Sequence, residues 1–359
     1  MAIKFDQLRK RFSGKKVLVT GHTGFKGSWL ILILKFLGAK LVGVSDKLVT
    51  TPSHFQLIKN NINIKNYFCD IRNFNRLRKI INKEKPNFIF HLAAQSLVKK
   101  SYINPLDTWS TNLGGTINLL EILREFKKNC TVVLITSDKV YKNLETKRPY
   151  NENSTLGGYD PYSCSKSSAD LAIQSYFKSY FIEKKNIRLA IARAGNVIGG
   201  GDWSRDRLIP DCIKSWSKSK KVNIRQPNST RPWQHIIDIA YGYLILSHNL
   251  NTNKNLNHEV FNFGPDHKKN HTVKEVVTLM KKNWNKANWH YKKNKKQSES
   301  ILLNLDSRKA YYKLGWKPVL KFEEVIKYTT IWYKEFYEKK QNPYDLSLFQ
   351  IKKFENFIK

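Results

Sequence analysis

The chain has 359 residues, 41% of them hydrophobic and 13% aromatic, which allows a large core and excludes an unfolded chain. Its 64 Lys and Arg against 28 Asp and Glu give a net charge of +36, but the lysines are dispersed apart from short clusters such as 292–296. No basic arm or RNA-binding signature accompanies them, so the charge reads as solvated surface and no nucleic-acid partner is expected.

No run approaches the roughly 18 apolar residues of a membrane span. The start MAIKFDQLRKRF lacks the apolar stretch of a secretion signal, and Cys69, Cys130, Cys164 and Cys212 form no CxxC pair. A disulfide framework and a metal site are not expected, and a reducing cytoplasm suits these thiols. In chain order, the first half alternates short β-branched runs with helical patterns, which predicts βαβ units and a parallel sheet. Residues 16–20 (KVLVT) predict a strand ending at Gly21, 27–37 a helix closed by Gly38, and 40–45 the next strand. Further strands are predicted at 66–70, 87–92, 131–136 and 188–193. Helices are predicted over 73–83, over 105–127 with Asn104 as cap, and over 162–184. Beyond Gly195 the pattern loosens: strands at 222–225 and 260–263, a helix at 238–247, and a helix opened by Thr272 and Glu275 as a capping box. A last helix spans 322–339, with a short tail after Pro343. The predicted fold is α/β, a Rossmann-type doubly wound parallel sheet (1–195) followed by a smaller mixed α/β substrate lobe (196–359) whose segments can interleave.

Gly21-His22-Thr23-Gly24-Phe25-Lys26-Gly27 is a GxxGxxG loop between the first strand and the first helix. Glycine is needed there for the tight turn and for close approach of backbone amides to a pyrophosphate, which the helix N-terminus attracts. Asp46, ending the second strand, can accept both ribose hydroxyls and disfavour a 2′-phosphate, so NAD is expected. His22, Lys26 and Lys47 pull toward NADP. Asp70, with Ile71 beside it, can face an adenine or cap the following helix. His91 reads as structural, and the small Ala93 and Ala94 leave room for a cofactor on the sheet's C-terminal edge.

Tyr162 and Lys166 place a phenol and an ammonium four residues apart at the start of a helix. The ammonium, beside an oxidised nicotinamide, can lower the phenol toward working pH, so that it takes a proton from a sugar hydroxyl as hydride leaves. Tyr180/Lys184 and Tyr291/Lys295 share the spacing but not the context. Only Tyr162 follows a strand ending in Ser137-Asp138-Lys139, where Ser137 completes a Ser-Tyr-Lys set.

The glycine loop, this serine and the YxxxK helix resemble the extended short-chain dehydrogenase/reductase superfamily. Seven strings in order are similar to its CDP-glucose 4,6-dehydratase group: GHTGFKGSWL (21–30), HLAAQSLV (91–98), TSDKVY (136–141), GGYDPYSCSK (157–166), RAGNVIGGGDW (193–203), DRLIP (206–210) and RPWQH (231–235). The tail over 346–357 is similar too. The resemblance implies three steps: C4 oxidation by Tyr162 with Lys166 and Ser137, loss of water across C5 and C6 with Asp138 as acid, and return of hydride to C6. Lys139 stands where dTDP-glucose dehydratases carry Glu, which leaves the C5 base open. The resemblance also implies Asn196, Arg207 and Arg231 near a substrate pyrophosphate, whose bidentate geometry suits guanidinium. Gln95, Asn112 and His235 are weaker candidates for the sugar or base side. The group dimerises through two long helices, here 105–127 and 162–184, so a homodimer or dimer of dimers is implied. Its usual pathway end is a dideoxyhexose of surface polysaccharide.

Overall fold

The β-branched runs of the first half all enter one sheet. The computed structural model describes residues 3–146, 148–266, 271–291 and 304–358; the lysine cluster at 292–296 and Lys295 of the Tyr291/Lys295 pair lie outside them. Six strands come from the first half: β1 (Lys16–Thr20), β2 (Lys40–Ser45), β3 (Ile64–Phe68), β4 (Phe88–His91), β5 (Cys130–Ile135) and β6 (Ile187–Ala194). A seventh, Val260–Phe263, pairs with β6, and the order is Val260–Phe263, β6, β5, β4, β1, β2, β3. All neighbours are parallel. The chain reverses direction across the sheet between β1 and β4, and a doubly wound sheet binds ligands at the carboxyl ends beside that point.

Helices cover both faces. Phe25–Phe36 is buried from Gly27 to Leu34, so the sequence stretch WLILIL is apolar all round and not amphipathic. Each such side chain contributes about 1.5–3 kcal/mol by leaving water. Ile236–Thr252 packs against it and against β5 and β6, so the second half of the sequence builds one face of the first half's sheet. Asp238, in the first turn of that helix, accepts backbone N–H bonds from Val319 (2.8 Å) and Leu320 (3.2 Å), tying down the loop before Phe322–Glu338.

Several predicted boundaries are corrected. The 105–127 helix is broken: Asn104 caps Pro105–Trp109, a wider π turn follows at Ser110–Gly114, and Gly115–Glu125 resumes. Gly115 sits against Ile71, which leaves no room for a Cβ there. The 162–184 helix runs over Pro161–Tyr176 and ends in a second π turn at Phe177–Phe181. The tail after Pro343 is a helix, Pro343–Ile358, that buries Leu346, Ile351 and Phe354. A helix at Phe5–Phe12, with Phe5, Leu8 and Phe12 buried, was not predicted. The Thr272–Glu275 capping box forms as expected.

Candidate active site

The glycine loop lies at the carboxyl end of β1. Gly21 has φ +74°, a left-handed backbone that L side chains avoid, and a Cβ there would come within 2.7 Å of the Ala93 nitrogen. A Cβ on Gly27 would lie 2.2 Å from the Gly21 carbonyl oxygen, so helix and turn touch through backbone alone. No side chain caps the Phe25–Phe36 helix, which leaves its first-turn amides to an anion. These features fit a dinucleotide pyrophosphate. Asp46 is half-exposed just past β2 and pairs with Lys47 at 3.5 Å. Asp70 lies beyond β3, with its carboxylate held by the Arg72 backbone and guanidinium. The helix after it is capped by Asn73, so Asp70 is not the cap.

Several predicted residues prove to be internal ties. The His22 ring is buried between Gly43 and Phe55 and hydrogen-bonds Ser45. Only its backbone belongs to the loop, and its proton affinity, pulled down to about 4 mainly by burial, leaves it neutral. His91 shares hydrogen bonds with Thr20 (2.8 Å) and Thr116 (3.3 Å), as the structural reading held. Gln95 spends its amide on the Leu97 backbone and Thr108. Asn112 joins the Gln95 backbone to Ser165. His235 is fully buried, caps its helix and packs edge-on against Trp29 and Tyr328. The side chains of His22, Gln95, Asn112 and His235 are therefore buried and engaged within the protein.

Ser137, Asp138, Lys139, Tyr162 and Lys166 do converge. Asp160 caps the Pro161–Tyr176 helix by accepting from the amides of Tyr162 and Ser163, which fixes the phenol at the helix start. The Ser137 hydroxyl faces that phenol, and its Oγ accepts from the Lys139 amide at 2.9 Å. The Lys166 ammonium donates to the Ile135 carbonyl at 3.3 Å, and burial lowers its proton affinity to about 8. Burial pushes Tyr162 up to about 12. The Ser137 bond and the charge of Arg207 work against that, and Asp138 adds to it. Arg207 is a cation whose charge acts on the phenol, and Lys166, one turn along the same helix as Tyr162, donates to the β5 backbone. Burial also raises the Asp138 carboxyl against the pull of Lys139 and Lys26.

Lys26 belongs to this cluster as much as to the glycine loop. It is partly buried near Asp138, Arg207 and Lys166, and desolvation lowers it to about 8. Arg207 donates to Asp202 at 3.0 Å. The Asp202 backbone is gripped on both sides by the Tyr333 hydroxyl, at 2.8 and 2.6 Å. Neither Asp202 nor Tyr333 was expected; the Gly199-Gly200-Gly201 run was the available signal. Asn196 lies between β6 and the Val197–Ile198 bridge at the sheet's C-terminal edge. Arg231 donates to the Thr230 carbonyl at 2.8 Å, on the short strand paired with His271–Thr272. No group of three or more metal-ligating side chains occurs among the described residues.

Comparison with known proteins gives the chain a family. Residues 18–329 match the family model described as GDP-mannose 4,6 dehydratase. A CDP-glucose 4,6-dehydratase of Salmonella typhimurium is 42% identical over 328 residues, covering 90% of this chain and 91% of that one. Among solved structures, an epimerase from Methanothermobacter thermautotrophicus superposes with a TM-score of 0.80 at 24% identity, over 93% of this chain and 96% of the other. A dTDP-glucose 4,6-dehydratase from Bacillus anthracis, solved with NAD, gives 0.76 at 23% identity, over 92% and 100%. These two share the fold. The matched length and the 42% relative show that the chain belongs to the GDP-mannose 4,6 dehydratase family.

Proposed function

We propose that the chain is an NAD-dependent CDP-glucose 4,6-dehydratase, converting CDP-glucose to CDP-4-dehydro-6-deoxyglucose and water. The observation that carries this is the buried Asp138, next to Ser137 and close to Tyr162, on a chain 42% identical to a CDP-glucose 4,6-dehydratase. Oxidation at C4 needs only the serine, tyrosine and lysine; a buried acid beside them suits elimination.

The Tyr162 phenol is the proposed acceptor of the sugar 4-hydroxyl proton, with Ser137, which bonds the phenol, assisting. The amides of the Phe25–Phe36 helix start, with Gly21 and Gly27 leaving space, would hold the dinucleotide pyrophosphate, and Asp46 would take the ribose hydroxyls. NAD, when bound, would supply a positive charge and a two-electron acceptor that returns what it takes. Loss of the C4 hydrogen makes C5–H acidic, because the resulting carbanion is conjugated with the new ketone. Asp138, whose carboxyl is raised by burial, is the proposed acid that gives a proton to the departing 6-hydroxyl. Two amines near Asp138, Lys26 and Lys139, are the candidates to remove the C5 proton and later restore it. The balance is one water lost and no net oxidation.

Arg207 and Arg231, with Asn196, are the groups proposed for the substrate pyrophosphate. Exposed Leu171, on the Pro161–Tyr176 helix, and Tyr180 and Ile182, at its end, support a homodimer through this segment. Four free cysteines suit the cytoplasm. The test is incubation with CDP-glucose and NAD, followed by product analysis. A 4-keto-6-deoxy sugar nucleotide is expected. Turnover of dTDP-glucose with none of CDP-glucose would refute the base assignment, and C4 inversion without loss of water would refute the reaction.

A further inference from the structure

Behind the site lies the most deeply buried ion pair among the described residues, Arg193 with Asp170, at 1% and 0% exposure. Arg193, on β6, donates from Nε to Oδ2 at 2.9 Å and from a terminal nitrogen to Oδ1 at 2.6 Å. Thr136 adds a bond to Oδ2 at 2.9 Å and Gln174 one to Oδ1 at 2.8 Å, so four donors saturate the carboxylate. The other guanidinium nitrogen donates to the Tyr141 hydroxyl (2.9 Å) and the Glu152 carbonyl (3.1 Å).

The position of this carboxylate is informative. Asp170 lies one helical turn after Lys166 on the same helix, a spacing at which a carboxylate and an ammonium normally meet. Here they do not bond: Lys166 donates to the Ile135 carbonyl, and Asp170 is turned to Arg193. Thr136, which fixes the other side of Asp170, immediately precedes Ser137 and Asp138. Stability alone explains the pair poorly, since desolvating two charges offsets much of their attraction and an apolar replacement is often as stable.

We propose that Asp170 and Arg193 are positioning residues that set the charge balance beneath Lys166 and Tyr162. Arg193 holds Asp170 away from Lys166, so that the ammonium stays free to serve the phenol and the sugar oxygen. The inference rests on the reading of Tyr162 and Lys166 given above. Other charged or titratable groups face these residues and stay constant in the test. His91 and Lys26 face Lys166; Asp138, Asp160 and Arg207 face Tyr162; Tyr141 and Glu152 lie around Arg193.

The experiment is the pH profile of single-turnover nicotinamide reduction by CDP-glucose in the full-length holoenzyme. Asp170→Asn leaves a buried cation, which favours the phenolate and disfavours the ammonium. Both limbs of the profile should move to lower pH by roughly one unit. Arg193→Gln leaves a buried anion and should move both limbs upward by a similar amount. The double variant removes both charges and should return toward the wild-type profile. Single variants that shift the same way, or that lower Tm with an unmoved profile, overturn the inference. If a buried single variant does not fold, Gln174→Glu and Gln174→Lys carry the test from a partly exposed position. Opposite shifts, upward for Glu and downward for Lys, support the inference, and identical profiles overturn it. A wild-type enzyme that reduces no nicotinamide with CDP-glucose at any pH overturns the reading of Tyr162 and Lys166, and this inference with it.

Discussion

A single methyl group at Gly27 probes the cofactor cradle most cleanly. The added Cβ would lie 2.2 Å from the Gly21 carbonyl oxygen and 2.7 Å from the His22 Cα. Ordinary contacts are about 3.5 Å, so the two backbones must separate by roughly 1 Å. Both obstructing atoms are backbone, and neither can rotate away as a side chain would. Overpacking of this kind costs about 1–3 kcal/mol. Charged wholly to cofactor binding, that is a roughly 5- to 150-fold rise in the Kd for NAD. Charged to folding instead, it lowers Tm by a few degrees per kcal/mol in a chain of this size. Calorimetric titration with NAD and a thermal melt together capture both routes. Gly114→Ala is the control, because a Cβ there meets nothing within 4 Å. Wild-type affinity and wild-type Tm in Gly27→Ala would refute the close-approach reasoning.

Asp138→Asn should keep C4 oxidation and lose proton donation to the leaving hydroxyl. Reduced nicotinamide should accumulate on adding CDP-glucose while product formation falls roughly 10²- to 10⁴-fold; unchanged turnover would remove Asp138 from the elimination. Lys26→Met and Lys139→Met separate the two amines near Asp138: the variant that lacks the base should fail to incorporate solvent deuterium at C5, and equal incorporation in both would exclude both. Asp238 supplies a pH signature of the fold. Burial raises its carboxyl to about 7, so the folded chain holds that proton more tightly than the unfolded one. Its contribution to stability is full below about pH 4, the ordinary carboxyl value, and fades as pH rises through about 7. Asp238→Asn should flatten the dependence of Tm on pH over that window, and an unchanged slope would place the linkage elsewhere.

The sheet and the clustering of Ser137, Tyr162 and Lys166 were legible because they rest on local signals. KVLVT followed by glycine marks a strand and turn, and a tyrosine after a serine-ended strand marks a site. What escaped depends on distant partners. The Pro343–Ile358 helix has Phe349 and Phe357 exposed beside a buried Leu346, Ile351 and Phe354, so its apolar stripe is blurred. His22 and His235 look like ligands in a string, and only the fold shows them walled in by Gly43, Phe55, Trp29 and Tyr328. The two π turns at Ser110–Gly114 and Phe177–Phe181 leave the 3.6-residue period nearly intact in sequence. Arg193 did carry a signal, one of two charges in the mostly apolar β6 run IRLAIARA, but its partner is 23 residues away on a helix.

The proposed reaction moves hydride from C4 to C6 of the same sugar, and that transfer is directly visible. CDP-glucose carrying deuterium at C4 should yield CDP-4-dehydro-6-deoxyglucose with one deuterium in its methyl group. Deuterium retained at C4 of a product that has lost no water would contradict the dehydratase account and leave an epimerase in its place.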